Sequence, residues 1–464
     1  MPSIAQFDPG LLARYDVSGP RYTSYPAAPQ FHAGFGEAQL RAAAHASNED
    51  PIPRPLSLYV HVPFCLSPCF YCGCTRIITR DKGRTPIYLQ RLFREVELTA
   101  PLFDRDRSVL QLHFGGGTPN FLDAGQMAEL LETLAQHFSF SRNTRREFGI
   151  ELDPRFCDAD YVRALAPLGF NRVSVGIQDF DPEVQAAVNR IQSVAQTRAV
   201  LDAARESGFR STSVDLIYGL PKQTLAGFAR TLDEVIALAP DRVAAYAYAH
   251  LPQRFTAQRQ IHAADLPDPS TRLRLLGLTV EKLTGAGYRY IGMDHFARAG
   301  DELARAQDAG SLQRNFQGYS THGGCDLIGL GMSAISHIGA SFSQNPRDLP
   351  SYYAALDAGR LPVLRGVAMN EDDVIRADAI ARLMCQGELD IPAFEARHSL
   401  DFQAYFAAEL RNLRKLVRDD LVEMTPQNLR VTARGRYLLR HVAMCFDAYL
   451  ARGTAPAVRY SRAL

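Results

Sequence analysis

The chain has 464 residues, more than one ordinary hydrophobic core accommodates, so two or three domains are expected, a large one among them. At 46% apolar and 22% charged residues it sits in the usual globular range, which excludes a disordered or fibrous protein, and no apolar run approaches a membrane span. Lys and Arg number 51 against 50 Asp and Glu, so bulk charge points neither to nucleic acid nor to an acidic membrane, and any anionic ligand must be met locally.

The opening MPSIAQFDPGLLARYD has neither the basic start nor the apolar run of a secretory signal, so a reducing, cytoplasmic setting is expected. Residues 1–50 form a first segment. Its stretch SGPRYTSYPAAP from Ser18 holds too much proline and glycine for a helix or central strand. With tyrosines and few charges, it predicts an ordered cover over a substrate site.

Residues 51–365 predict one large α/β domain. The β-rich runs are LSLYVHV from Leu56, VLQLHF from Val109, EFGIEL from Glu147, RVSVGI from Arg172, STSVDLI from Ser211, RVAAYAY from Arg242 and YRYIGM from Tyr288. Between them lie amphipathic helical patterns such as IYLQRLFREVELT, AGQMAELLETLAQHF, TLAGFARTLDEVIAL and TRLRLLGLTVEKLTG. Gly169, Gly208 and Gly287 each follow a helix and precede an aromatic residue that opens a strand, the pattern of a left-handed cap. Six or seven such units predict a parallel sheet rolled into a partial (β/α)6-type TIM-like barrel, a doubly wound open sheet being the alternative. The barrel is favoured because the unusual residues fall at strand ends or just beyond: the cysteines after the first strand, Gly115-Gly116-Gly117-Thr118-Pro119 after the second, Glu151 and Asp153 at the third. Gln178 ends the fourth, Asp215 and Tyr218 the fifth, Tyr248 and His250 the sixth.

Residues 366–464 predict a mainly helical, winged-helix-like domain. VIRADAIARLM and FQAYFAAELRNLRKLV read as helices, LVEMTPQNLRVT as a hairpin and GRYLLRHVAMCFDAYLA as a last helix. The near-neutral composition argues against DNA binding, which leaves a packing or lid role.

Four of the eight cysteines, Cys65, Cys69, Cys72 and Cys74, fall within ten residues, while Cys157, Cys325, Cys385 and Cys445 stand apart among apolar neighbours as buried small hydrophobes do. Cys65, Cys69 and Cys72 make a C-x3-C-x2-C spacing. Structural zinc wants four ligands, usually in two pairs, and no second pair is visible, so three corners of a cubane iron–sulfur cluster fit better. If Cys74 filled the fourth corner the cluster would be closed and the protein an electron carrier; an open iron is an enzyme's device. Gly73 lets the backbone turn away before Cys74, so Cys74 is expected to line the cavity beside that iron rather than ligate it. His61 on the first strand reads as structural.

This cysteine motif, with the aromatic Tyr71 before its third cysteine, resembles the radical S-adenosylmethionine (SAM) superfamily, where Phe is commoner at that place. The resemblance implies one [4Fe–4S] cluster per chain on Cys65, Cys69 and Cys72, its open iron bound by SAM. It further implies cofactor contacts at Tyr71, Gly116, Gly117, Thr118, Glu151, Gln178, Arg190, Asp215 and Ala249, the glycines letting the cofactor's amino acid moiety approach closely.

LYVHVPFC, CGC, GGGTP, QDF, VDLIYGLPKQT, YAHLP, GMDHFA and RNFQGYST together resemble more narrowly the oxygen-independent coproporphyrinogen III oxidase family, from Tyr15 nearly to the C-terminus. The related haem-chaperone group typically lacks both Cys74 and the SGPRYTSYP segment. The family resemblance implies decarboxylation of two propionates of coproporphyrinogen III to vinyl groups, a second SAM near Cys74, Gly116, Gln317 and Ile335, and Tyr59 beside the first sulfonium, with Cys74 and Tyr59 in the chemistry. A reductant such as flavodoxin or ferredoxin is implied; the terminal electron acceptor is left open. A monomer without nucleic acid or membrane partners is expected. A flat apolar macrocycle with four carboxylates needs a pocket with apolar walls and a few cationic or hydroxyl donors, for which Arg21, Tyr22 and Tyr25 are the candidates. Tyr248 and His250 read equally as core-lining residues.

Overall fold

The computed structural model describes residues 7–451; the first six residues and 452–464, parts of the two outer segments expected above, lie outside the described residues. Six strands run parallel in chain order: β1 (Leu56–Val62), β2 (Ser108–Gly116), β3 (Glu147–Leu152), β4 (Arg172–Gln178), β5 (Ser211–Tyr218) and β6 (Arg242–Ala247). Their period-two pattern sorts the side chains. On β4, Val173, Val175 and Ile177 are buried toward the helices, whereas Arg172, Ser174 and Gln178 alternate with them onto the other face. The helices between strands start on side-chain caps, Asp123, Ser193 and Thr224 each accepting from a first-turn amide. The three predicted glycine caps have φ of 96°, 82° and 85° at Gly169, Gly208 and Gly287, a region where a Cβ is costly.

The seventh predicted strand departs from expectation. Tyr288–Gly292 (β7) does not continue the parallel series but forms a hairpin with β8 (His295–Arg298), and β8 takes the place beside β6, antiparallel to it. Two residues, Met293 and Asp294, link β7 to β8, too short for a helical crossover, and Gly292 and Met293 both have positive φ to make the reversal. After a small hairpin, β9 (Gln313–Asn315) and β10 (Gly318–Ser320), strand β11 (Asp326–Leu330) pairs parallel to β1. It is followed by antiparallel β12 (Ile335–Ile338), β13 (Ser341–Gln344) and β14 (Arg365–Ala368). The sheet order is β7-β8-β6-β5-β4-β3-β2-β1-β11-β12-β13-β14, and no pairing joins β7 to β14, so the barrel is partial, as predicted, and not closed. The sheet also runs three residues beyond the expected boundary at 365.

Part of the gap is spanned by the β9–β10 hairpin. Ser320 Oγ accepts from Gln111 Nε2 at 3.2 Å, Thr321 Oγ1 donates to Glu147 at 3.0 Å, and the Tyr319 ring meets His295 edge-on at 5.3 Å. The N-terminal segment crosses toward the C-terminal domain: Arg440 Nε donates to the Pro20 carbonyl at 3.1 Å, Tyr22 Oη donates to Asp447 at 2.9 Å, and Tyr25 Oη accepts from the Ala448 amide at 3.2 Å.

The C-terminal domain packs helices Glu371–Cys385 and Ala407–Arg418 against a three-stranded sheet of Glu388–Asp390, Asn428–Val431 and Val422–Met424, a winged-helix-like arrangement. Two helices predicted as continuous are broken. The first bends at Phe406 (φ −98°, ψ 24°), whose fully buried ring packs against Phe394, Phe402 and Phe446. The last stops at Met444 and restarts at Ala448, because buried Asp447 turns its carboxylate back to the Tyr449 and Leu450 amides as well as to Tyr22. Among the described residues no helix is long and apolar enough to cross a membrane.

Candidate functional site

The cysteine loop leaves the C-terminal end of β1 and is tied back on itself by Ile77 N to Pro63 O at 2.7 Å and Thr79 N to Cys65 O at 2.9 Å. Cys65, Cys69, Cys72 and Cys74 line one cavity of about 770 Å³ with Tyr71, Gly116, Gly117, Thr118, Glu151, Gln178, Arg190 and Asp215. Twelve predicted positions, from the ends of five strands, thus meet in one place.

Three arginines organise the loop. Arg76 donates to the carbonyls of Cys69, Cys72 and Cys74 at 3.1–3.3 Å, which fixes the turn. Arg155 and Arg190 donate to the Cys69 sulfur at 3.3 and 3.6 Å, and Asp153 holds both guanidinium groups at 2.7 and 3.1 Å. Two cations against one carboxylate leave positive charge for a thiolate, the state in which cysteine binds metal. Burial pushes the Cys65 thiol up to about 11, opposed by the Thr118 hydroxyl at 3.3 Å. The Cys72 thiol is pulled down to about 6, first by its hydrogen bond from Cys74 and then by Arg76. No group of three His, Cys, Asp or Glu side chains among the described residues is gathered so as to hold a metal ion. Three thiols spread around a cavity, backed by cations, fit a cubane whose corners are separate irons better than one tetrahedral ion.

Two glycine expectations change in their reason. Gly73 lacks a positive φ; a Cβ there would meet the Phe255 ring at 3.0 Å, so its role is packing, not a reversal of the chain. Cys74 stays beside Cys72, its amide 3.4 Å from that sulfur, while lining the cavity as expected. In the Gly115–Gly117 run, a Cβ on Gly116 (φ 111°) would strike the His61 ring at 2.5 Å and one on Gly117 the Pro63 backbone at 2.7 Å. Protein neighbours, not only a cofactor, demand the bare backbone.

Burial and the Glu151 charge raise Asp215 to about 7, and Ser174 donates to it at 3.2 Å. Glu151 accepts from or pairs with His113 Nε2 at 3.1 Å, and the His113 ring stacks on Tyr59 at 6.1 Å. His61 is structural as expected: its Nε2 faces the Thr75 carbonyl at 3.0 Å, which makes Nε2 the donor, so Nδ1 accepts from the Tyr59 hydroxyl at 3.2 Å. Tyr59 therefore stands rigidly beside the cavity. Gln258, buried, donates from Nε2 to both the Tyr71 and Ala249 carbonyls at 2.9 and 3.1 Å, which brings Ala249 to the same wall. Tyr248 joins an apolar cluster with Val184, Leu220 and Ile261 and bonds His250 at 2.9 Å, the core-lining alternative.

A second cavity of about 970 Å³ adjoins the first, shares Glu151, Ser174 and Asp215 with it, and is lined also by Arg172, Arg242, Tyr246, His295 and Gln317. Gln317 is thereby close to the site. Ile335 lines neither cavity and packs with Phe31, Phe316 and Phe342. Arg21 pairs with Asp294 and lies 5.6 Å from the centre of the Tyr246 ring at that second cavity. Tyr22 and Tyr25 are not brought there, since both are buried with their hydroxyls turned to the C-terminal domain. Arg76, Arg155, His113 and Gln258 were not singled out by sequence; the only available signal was Arg155 beside Asp153 at a strand end.

A model of the radical SAM superfamily matches residues 59–235, and one described as HemN C-terminal domain matches 369–438. The chain is 51% identical over 450 residues to an oxygen-independent coproporphyrinogen III oxidase of Pseudomonas aeruginosa, covering 97% of each chain. To the enzyme of that name in Escherichia coli K12 it is 48% identical over 459 residues, covering 99% of this chain and 98% of the other. A solved structure described as coproporphyrinogen III oxidase (HemN) from Escherichia coli, a radical SAM enzyme, superposes with a TM-score of 0.91 at 46% identity, over 96% of this chain and all of that one.

Proposed function

The chain belongs to the oxygen-independent coproporphyrinogen III oxidase family of the radical SAM superfamily, and from that premise we propose how its own residues divide the work. It is an oxidoreductase of haem synthesis that converts coproporphyrinogen III to protoporphyrinogen IX by oxidative decarboxylation, with a [4Fe–4S] cluster and SAM as cofactors. When bound, these supply a 5′-deoxyadenosyl radical able to take a hydrogen atom from a propionate β-carbon, after which CO2 and one electron leave.

Cys65, Cys69 and Cys72 would hold three corners of the cluster. Arg155 and Arg190 donate to the Cys69 sulfur, and Arg76 ties the loop's carbonyls together. Glu151 and Asp215 would accept hydroxyl hydrogen bonds of a bound nucleoside, against the wall of the Ala249 and Tyr71 backbones clamped by Gln258. Tyr59, oriented by neutral His61, bounds the reacting end, and Gly116, Thr118 and Gln178 complete the pocket. Cys74 and Gln317 face the place for a second SAM. Arg21, over the Tyr246 ring that lines the adjoining cavity, is the cation placed to meet a substrate carboxylate. A flavodoxin or ferredoxin reductant, a monomeric state and a cytoplasmic setting belong to the same reading.

The observation that carries it is the convergence of three cysteines from one loop with Glu151 and Asp215 from two strands and Arg190 from the loop beyond helix Pro182–Ala187 on one cavity. Anaerobic turnover tests it: coproporphyrinogen III should give protoporphyrinogen IX and 5′-deoxyadenosine together, and the reduced cluster's EPR spectrum should change on adding SAM. Tight haem binding with no vinyl product would instead mark a haem-transfer relative.

A further inference from the structure

Beyond the two cavities described lies a third, of about 890 Å³, between the N-terminal segment, the β9–β10 hairpin and helix Glu371–Cys385. Its walls are largely apolar and aromatic, with Tyr22, Tyr25, Phe316, Phe342 and Met384 among them. No Asp or Glu lines it, and Arg314 is its one Lys or Arg. Other largely buried arginines of this fold are paired: Arg107 with Asp326 at 2.6 Å, Arg242 with Asp301 at 2.9 Å, Arg376 with Glu409 at 2.8 Å. Arg314 is not. Its Nε and Nη1 are buried without a hydrogen-bond partner among the described residues, and its guanidinium lies 5.0 Å from the centre of the Tyr319 ring. A half-buried cation with empty donors costs stability, and a protein that keeps one has an anion to meet.

The hairpin explains how that anion relates to the site. β9 and its turn present Arg314 and Phe316 to the third cavity, while Gln317 and Tyr319 line the barrel cavity on the other side. One thin wall separates them, and the positive field of Arg314 crosses it, adding to burial in holding His295 down to about 3. We propose that the third cavity is a carboxylate-binding pocket for an apolar ring system and that Arg314 is its receptor. Resting on the function above, the carboxylate is a propionate that the reaction leaves intact, an anchor surviving both decarboxylations. Guanidinium matches carboxylate with two parallel hydrogen bonds, and the aromatic walls cover the pyrrole face.

The test titrates coproporphyrin III, the oxidised tetracarboxylate macrocycle, and its tetramethyl ester into the full-length protein, wild type, Arg314→Gln and Arg314→Lys, following porphyrin fluorescence. The acid should bind the wild type and the ester should not; Arg314→Gln should weaken the acid by about 10- to 100-fold, as expected for a lost charge-assisted bond, and Arg314→Lys should recover part of it. Arg314→Gln should melt no lower than the wild type, because it removes an unpaired buried cation. Equal binding of acid and ester, unchanged affinity in Arg314→Gln, or a lowered melting temperature for that variant would each overturn the assignment. If the wild type turns over coproporphyrinogen III while Arg314→Gln binds normally, only Arg314 is wrong; if the wild type neither binds nor turns over, the functional reading falls with it.

Discussion

Cys72 and Cys74 stand side by side at the cavity, and the hydrogen bond between them makes their roles separable only by substitution. Cys69→Ser should lose the cluster, with iron content and SAM cleavage both falling to background, because one of three thiolate corners is gone. A Cys69→Ser protein with full iron would sink the ligand assignment. Cys74→Ser should keep its iron and the SAM-dependent EPR change while losing most porphyrinogen conversion; loss of iron there would make Cys74 a fourth ligand and the protein a closed-cluster carrier. The cysteines were legible because their spacing is local. Arg155 and Gln258 were not, for they reach Cys69 and Tyr71 across 86 and 187 residues; nothing near Gln258 marks it, and Arg155 is marked only by the strand-end Asp153 nearby.

The stretch of the N-terminal segment between Gly19 and Tyr25 is a clasp more than a lid. Tyr22 gives its hydroxyl to buried Asp447, so Tyr22→Phe should leave that carboxyl short of a donor and cost about 1–3 kcal/mol in urea unfolding, with turnover per folded molecule unchanged. The ring of Tyr22, which the substitution keeps, still walls the third cavity, so a large loss of turnover without loss of stability would show that the hydroxyl itself serves the substrate. Deleting residues 1–30 should do more: cluster and SAM cleavage persist on the barrel strands, while porphyrinogen turnover fails because Arg21 and the wall of the third cavity are gone. Turnover at the wild-type rate would show the segment to be dispensable. Period two and helix caps made β1 to β6 readable. The breaks at Phe406 and Asp447 were not, since both residues sit within good helical pattern and depart from it only because distant rings and Tyr22 claim them.

Across the whole molecule, buried ionisable groups set a dependence on acid. His61, His295, His337 and His441 are held down to between about 3 and about 4, mainly by burial. Unfolded, they take up protons below their ordinary 6.5, so the stability they contribute is present above that and lost as pH falls toward 4. Glu95 and Asp215, raised to about 7 by burial, act in the opposite sense, their contribution being lost as pH rises through 7. Asp179 and Asp447 are raised by burial as well and add to that opposing sense, so the carboxylates offset part of the histidine effect, in which each neutral buried histidine contributes up to about 1.4 kcal/mol per pH unit near pH 5.5. The urea midpoint of cluster-free protein should therefore fall between pH 7 and pH 5; a flat or rising midpoint would contradict the buried neutral histidines.

The clasp between the chain's two ends also sets a clock for its synthesis. Tyr22 and Asp447 are separated by 425 residues, and Arg440 lies 420 residues after the Pro20 carbonyl it binds. A ribosome adding about 5–20 residues per second leaves on the order of 20–90 s between the emergence of the two halves of the clasp. The cysteine loop and all six parallel strands are made well inside that interval. For that time the nascent barrel presents its cysteines before the N-terminal segment has anything to fasten to, so the cluster site is complete in sequence before the clasp between Tyr22 and Asp447 can close.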